Sequence, residues 1–457
     1  MGGLRPEMSP KIRNLGWRVT LAGLGVNLAL GILYTWSVIS KRVPAEWEWS
    51  QADKSWPYSI ACLAFCLVMV PAGRMQDRFG PRIVSTLGGV LVGLGMVLAS
   101  FTTTVLGYTF FFGLLTGGGI GMAYASATPP AVKWFPAAKT GLIAGVVVSG
   151  FGLASVYAAP LSVWLIGEFG LQRAVMILGV AFCAVVIGLS QLLVAPPEGF
   201  VPAGSPSKPG MASSTDDPAY STREMLGTWQ YYALWFMYAC GAGAGLMIIS
   251  KLAKIAFEQA GLTLGFVLVA VLAIGNGAGR VGAGVASDKL GRRVTLAFCF
   301  ILQAVLIIVL SQATAGSLLA STAVLAMISA LIGANYGANL ALFPALTKDY
   351  YGLRNFGMNY GMVFTAWGIG GFMLALLAGK VYDATQSFNF AYYTSAGLLI
   401  AAAIVTALIR PPQRQPERLP QRESERQPAE LVLLRRDTDL SSEIPEGHYV
   451  PSETRSK

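Results

Sequence analysis

Twelve long apolar runs determine what this chain can fold into. Each holds about 20 or more residues with few charges, the length that an α-helix needs to cross the hydrocarbon core of a bilayer. Hydrophobic residues make up 54% of the 457 residues and charged residues only 12%, half of the ~25% found in soluble domains. The sequence therefore predicts an all-α integral membrane protein rather than a soluble or disordered one.

The ends of the apolar runs define the predicted helices and the segments between them. Residues 196–228 are rich in Pro, Gly and Ser and predict a cytoplasmic linker between two six-helix halves, residues 1–195 and 229–410. Residues 411–457 are poor in apolar residues and predict a disordered cytoplasmic tail. The predicted helices are 15–40, 53–74, 83–103, 106–132, 138–166, 173–195, 229–252, 262–287, 294–313, 317–345, 355–380 and 389–410.

The distribution of basic residues predicts the orientation. The net charge is +10, but the basic residues lie mostly between the apolar runs, so no nucleic-acid partner is expected. With a cytoplasmic N-terminus, the inside segments carry about twice as many Lys and Arg residues as the outside loops. This bias predicts that both termini are cytoplasmic. We expect the chain to lie in the bilayer of a bacterial inner membrane, without an obligatory protein partner.

Cysteine and histidine usage argues against an enzyme. All five cysteines lie within apolar runs without the spacing of metal ligands, and the only histidine is His448 near the C-terminus. The glycine-rich stretches at 117–119 and 275–279 lie within apolar helices, where helix packing explains them better than a nucleotide-binding loop does. The sequence therefore predicts a protein that is not an enzyme, has no metal site and uses no cofactor.

A ten-residue motif occurs twice, at residues 73–82 and 284–293. Gly, Asp, a basic residue, Gly and Arg match, and each copy ends the second helix of a six-helix half. A duplicated six-helix unit is the layout of transporters that rock one half against the other. Charges at such helix ends can hold the other half in one state and release it in the next, although charged turns that follow the positive-inside rule would look the same. The candidate gating residues are Asp77, Arg78, Arg82, Asp288, Lys289, Arg292 and Arg293.

With this doubled Gly-x-x-x-Asp-Arg/Lys-x-Gly-x-Arg motif, the chain resembles the major facilitator superfamily over residues 15–410. Shorter matches resemble its branch of monocarboxylate porters and oxalate/formate antiporters. They lie at 31–37, 119–124, 133–136, 141–145, 354–357 and 359–361, and at Arg280. The resemblance implies twelve transmembrane helices in two halves, with helices 1, 4, 7 and 10 lining a central cavity.

Arg280 differs from the other charged residues because it is predicted to lie near the membrane midplane. It is about 12 Å along its helix from the cytoplasmic end, and the hydrocarbon core is about 15 Å deep on each side. Ionisable residues at this depth are costly and usually functional, and a guanidinium suits a carboxylate. We therefore predict that Arg280 binds a substrate carboxylate. The alternative is a structural arginine that caps backbone carbonyls. Against this alternative, we expect Gly275, Gly277 and Gly279 to leave space around Arg280.

Nine further residues are candidate contacts for the substrate. Hydroxyls and amides can hydrogen-bond a carboxylate or its α-substituent, and an aromatic ring can close over an alkyl group. For any single residue, helix packing or an interfacial position is the alternative explanation. The candidates are Leu33, Tyr34, Tyr124, Asn276, Asn335, Tyr336, Asn339, Phe364 and Trp367.

Departures from the family pattern narrow the predicted substrate. Animal monocarboxylate porters carry aspartate at the position of Asn276 and lysine at that of Val38, and the oxalate-transporting members carry a second cation within helix 11. Here helix 11 has no Lys or Arg between Asn355 and Lys380. One buried cation favours a monoanion, because a second carboxylate would be uncompensated. We expect symport of a lactate- or pyruvate-like monocarboxylate with protons; anion exchange of the oxalate/formate kind is the alternative.

Overall fold

The computed structural model describes residues 14–136, 140–197, 200, 220–261, 265–352 and 355–412. Within these residues, eleven helical stretches are long and apolar enough to cross a membrane, and one of them contains two helices. The predicted all-α membrane fold is thus confirmed. The long helices are α1 Gly16–Lys41, α2 Trp56–Phe79, α3 Pro81–Ala99, α4 Val105–Val132, α5 140–169, α6 171–190, α7 Trp229–Ala260, α8 Gly265–Leu290, α9 Arg292–Ser311, α10 Thr322–Tyr351, α11 Phe356–Thr385 and α12 Asn389–Leu408.

Single glycines with positive φ separate three pairs of consecutive helices. Gly80 lies between α2 and α3 with φ 84°, Gly170 between α5 and α6 with φ 76°, and Gly291 between α8 and α9 with φ 89°. L side chains rarely adopt this conformation, so a turn of one residue requires glycine. The requirement explains the second of the two glycines shared by the copies of the repeated motif, Gly80 and Gly291. It also explains why the loop predicted at 167–172 is reduced to Gly170.

α7 is about two turns longer than the predicted 229–252. In the sequence, Lys251 and Lys254 indicated the polar end of a membrane helix. In the structure, however, Lys251 is only 4% exposed. Lys254 forms an ion pair of 3.2 Å with Glu258 and lies 4.3 Å from the centre of the Tyr382 ring. The helix therefore continues to Ala260, because both cations have partners in the bundle.

α8 and α10 pack backbone against backbone. A Cβ atom added at Gly275 or Gly279 would overlap the α10 backbone at Ala330 or Ala334. The expectation that these glycines leave space around Arg280 is therefore wrong for both: they allow a close helix approach instead. Gly277 faces the side chain of Leu153 in α5 rather than an open space.

The bundle is closed at the end that carries the connection between α1 and α2. α2 packs on α11 from the middle of both helices to this end, and Cys66 lies directly against Gly368 near the middle. Ser55 lies in the same way against Gly379, one to two turns before the end of α11. Small residues thus let the first six and the last six helices meet closely at this end.

Candidate anion-binding site at the centre of the bundle

Arg280 is buried between α8 and α5. Its side chain is held by neutral oxygens: Nε donates to Oδ1 of Asn276 at 3.1 Å, and Nη1 donates to the carbonyl oxygen of Val148 in α5 at 2.8 Å. Arg280 is 8% exposed, and no acid of the described residues lies within ion-pair distance of it. An uncompensated guanidinium in a membrane-spanning helix is therefore available to an anion.

Gly152 forms a flat surface under this guanidinium. It lies one helical turn after Val148 in α5, and a Cβ atom added to it would be 3.3 Å from Nη2 and 3.4 Å from Cζ of Arg280. Such distances are tighter than ordinary van der Waals contact, so any larger residue would displace the guanidinium. Neither Gly152 nor Val148 was predicted, since their role depends on a contact between helices far apart in the sequence.

Asn276 adds a free hydrogen-bond donor beside Arg280. The residue is fully buried, and its Oδ1 accepts the bond from Arg280. Its Nδ2 has no partner among the described residues. An unpaired buried amide is costly, and an acceptor oxygen of a bound molecule would satisfy it. Asn276, one of the predicted substrate contacts, thus lies beside Arg280.

Three further predicted residues form one hydrogen-bonded chain. The indole Nε1 of Trp367 donates to the hydroxyl of Tyr336 at 2.7 Å, and the hydroxyl oxygens of Tyr336 and Tyr34 are 2.5 Å apart. Indole can only donate. If Tyr336 in turn donates to Tyr34, every bond in the chain is made and the hydroxyl proton of Tyr34 remains free. Either hydroxyl can donate in this pair; when Tyr336 donates, the chain presents a hydroxyl proton from α1 to the interior of the bundle.

The positive charge of Arg280 acts on this group. It interacts electrostatically with the hydroxyls of Tyr34, Tyr336, Tyr124 and Tyr360. Hydroxyls from α1, α4, α10 and α11 thus lie within electrostatic reach of a cation from α8. We call Arg280, Asn276, Tyr34, Tyr336 and Tyr124 the anion site.

Aromatic rings close the anion site. The Phe364 ring stacks on Trp367 with centroids 5.3 Å apart and lies 6.4 Å from Tyr124. Two rings that sequence reasoning missed complete the group: Phe65 in α2, 5.0 Å from Trp367, and Phe151 in α5, 4.9 Å from Tyr34. A small molecule held here would have its charged end at Arg280 and its apolar end among these rings.

The remaining candidates have more local roles. Leu33 is fully buried in Gly31–Thr35, where α1 tightens into a 3₁₀ turn. Asn335 donates to the carbonyl of Leu331 at 2.9 Å, and Asn339 donates to that of Asn335 at 3.1 Å. Both amides therefore bond to their own helix, α10. None of these contacts brings Leu33, Asn335 or Asn339 to Arg280.

Among the described residues, the charged side chains of the second copy of the repeated motif bond to the last six helices. Arg292 pairs with Asp288 at 2.7 Å and with Asp349 at 3.5 Å, and Arg293 donates to the Thr406 carbonyl at 3.1 Å. Lys289, Arg78 and Arg82 are exposed. The side chain of Asp77 lies outside the described part of the structure. In this conformation, the described contacts of Asp288, Arg292 and Arg293 do not reach the first six helices.

Comparison with known proteins agrees with this architecture. The chain is 26% identical over 359 residues to an uncharacterized MFS-type transporter, YhjX, of Escherichia coli, covering 78% of this chain and 85% of that protein. It is 27% identical over 357 residues to the oxalate:formate antiporter of Oxalobacter formigenes, covering 77% and 81%. It is 24% identical over 407 residues to human monocarboxylate transporter 11, covering 85% and 82%.

A solved structure shares the fold. It is a bacterial homologue of the human lysosomal transporter Spinster in an inward-facing and unoccupied conformation, with a TM-score of 0.57, 15% identity and coverage of 89% of this chain and 96% of that one. The family model of the Major Facilitator Superfamily matches residues 14–316 and 235–441. These matches cover most of the chain and agree with its membrane-spanning helices. The chain therefore belongs to the major facilitator superfamily and is a membrane transporter rather than an enzyme.

Proposed function

We propose that this chain is a secondary transporter of small monocarboxylates such as lactate or pyruvate. The observation that carries the proposal is Arg280, a buried cation whose two hydrogen-bond partners, Asn276 and Val148, are both neutral. A carboxylate would pair with this charge, while the free amide of Asn276 and the hydroxyl of Tyr34 bind its second oxygen or its α-substituent. The relatives named for oxalate, formate and monocarboxylates agree with this chemical class.

A single cation favours a single negative charge. Between Asn355 and Lys380, the sequence has no Lys or Arg to neutralise a second carboxylate. The cost of one uncompensated charge in such a site is several kcal/mol, about three orders of magnitude or more in affinity. The apolar rings of Phe364 and Phe65 suit the alkyl end of a short monoacid.

Transport would follow alternating access between the two six-helix halves. The positive-inside bias supports cytoplasmic termini, which assigns the closed end, between α2 and α11, to the outside. We propose that a proton accompanies the substrate. Asn276 stands where the animal porters have an acid, so the proton would not be carried at that position.

Anion exchange is the second candidate, favoured by the likeness to the oxalate:formate antiporter. An uptake assay in proteoliposomes distinguishes proton symport from anion exchange. We expect uptake of labelled lactate into empty vesicles when the outside is acidic, and little uptake without a pH gradient. Uptake that requires an internal anion and ignores the pH gradient would show exchange instead. No uptake of any short monocarboxylate in either arrangement would contradict the proposed substrate class.

A further inference from the structure

Lys251 of α7 is a buried cation whose hydrogen-bond partners lie in the first half of the chain. Its Nζ donates to Oγ of Ser55 at 2.6 Å and to the carbonyl oxygen of Gln51 at 3.2 Å. Both partners are neutral, and no acid of the described residues lies within ion-pair distance of Lys251. When it is protonated, this buried amine with neutral hydrogen-bond partners carries a charge that a bound anion could compensate.

The segment that contains the partners of Lys251 is also held by a residue of α11. The carboxylate of Asp383 in α11 accepts hydrogen bonds from the backbone nitrogens of Gln51 and Ala52, both at 2.7 Å. Lys251 and Asp383 thus hold the segment 51–55 against α7 and α11 and close this end of the bundle. When the halves separate here, Gln51 and Ser55 move away with the first half, and Lys251 loses both partners.

Further charged groups lie near Lys251. Burial disfavours the charged form of Lys251 most; Asp383 attracts the charge, and Lys254 and Lys54 repel it. Lys41 lies 4.2 Å from the centre of the Phe257 ring, also at this end. Glu258 is paired with Lys254 and Asp383 is hydrogen-bonded to the backbone of Gln51 and Ala52, so neither acid forms an ion pair with Lys251.

Lys251 also lies above the anion site along α7. Gly245, six residues earlier, packs directly against the ring of Tyr336. Six residues correspond to about 9 Å of helix rise. A carboxylate at Lys251 would thus be one short step from Tyr336 and Arg280.

We propose that Lys251 is a first binding site for the substrate carboxylate when the closed end opens, and that Ser55 and Gln51 occupy it when that end closes. This inference rests on the proposed function. The carboxylate replaces two neutral oxygens on an unpaired ammonium, and then passes on to Arg280. Re-closure returns Ser55 and Gln51 to Lys251, which excludes the next anion from this position.

The test compares the KM for lactate on the two sides of vesicles that hold the chain in one known orientation. Lys251→Gln removes the cation and keeps a hydrogen-bonding side chain. It should raise the KM about tenfold on the Lys251 side, and leave the KM on the opposite side within about twofold. Lys251→Arg keeps the positive charge and should stay near wild type on both sides. Arg173→Gln removes an exposed cation that has no contact with Lys251, and serves as the control.

Ser55→Ala distinguishes a substrate-binding role of Lys251 from a purely structural contact between the halves. This variant removes the hydrogen bond between Ser55 and Lys251 but keeps the Lys251 side chain. Its KM on the Lys251 side should therefore stay near wild type. A KM that rises equally in Ser55→Ala and Lys251→Gln would overturn the proposal, as would an unchanged KM in Lys251→Gln. Either result would leave the proposed function standing if wild type carries lactate; only a wild type without monocarboxylate transport removes both.

Discussion

Tyr34 and Tyr336 are 302 residues apart in the sequence, and their hydroxyl oxygens meet at 2.5 Å in the centre of the bundle. Trp367 donates to Tyr336, and we expect Tyr336 to donate in turn to Tyr34, which leaves the hydroxyl proton of Tyr34 free. The two tyrosines should therefore differ in what their loss costs.

Tyr336→Phe should mainly lower stability, because it leaves the Trp367 N–H without an acceptor. We expect a loss of about 1–3 kcal/mol in the free energy of unfolding. Tyr34→Phe should instead weaken lactate binding more than it lowers stability. Thermal unfolding of purified protein, with and without lactate, measures both effects. Tyr108→Phe is the control, since the buried Tyr108 hydroxyl has no partner among the described residues; equal behaviour of all three variants would contradict this assignment.

Gly152→Ala should weaken lactate binding without unfolding the protein. The added Cβ atom at 3.3 Å from Nη2 forces the Arg280 side chain to shift by a few tenths of an ångström, which misplaces the two-donor fork. Gly145→Ala in the same helix meets nothing within 4 Å and should bind as wild type does. If both alanines had the same affinity, the surface under Arg280 would not position it.

Phe364→Ala should admit larger monocarboxylates. Its ring lies against Phe65 and Trp367, where it would limit the alkyl end of the substrate. Transport of a series of acids of increasing chain length measures the change. Trp367→Phe separates bulk from hydrogen bonding, because it keeps an aromatic ring but cannot donate to Tyr336. A substrate profile that stayed the same in Phe364→Ala would remove this ring from the site.

Asp288→Asn should slow turnover more than it weakens binding. Asp288 pairs with Arg292 at a helix end, away from Arg280, so its loss changes the exchange between states rather than the anion site. Asp77→Asn, at the matching place of the first motif, should behave alike. Transport rates and lactate affinity of the purified variants provide the comparison. Lost affinity together with a normal turnover would contradict a gating role.

Local sequence signals predicted the membrane fold and the burial of Arg280. Apolar runs predicted the helices, and the distance of Arg280 from the helix ends predicted its burial, because both depend on the sequence near each residue. The extension of α7 beyond residue 252 was missed, since the partners of Lys251, Gln51 and Ser55, lie some 200 residues away. The contact of Arg280 with Val148 is of the same kind. Packing between distant helices leaves no periodicity that could reveal it.

The role of Arg280 as the carboxylate anchor is tested most directly by ligand-dependent thermal stabilisation of the purified protein. Lactate should raise the unfolding temperature of wild type and leave that of Arg280→Ala unchanged, with Arg280→Lys close to the alanine variant because it lacks the planar fork. Loss of the charge-assisted pair would cost roughly 2–5 kcal/mol, or about 30- to 5000-fold in affinity. Arg18→Ala, at the start of α1, is the control. Wild-type stabilisation of Arg280→Ala by lactate would show that the carboxylate binds elsewhere.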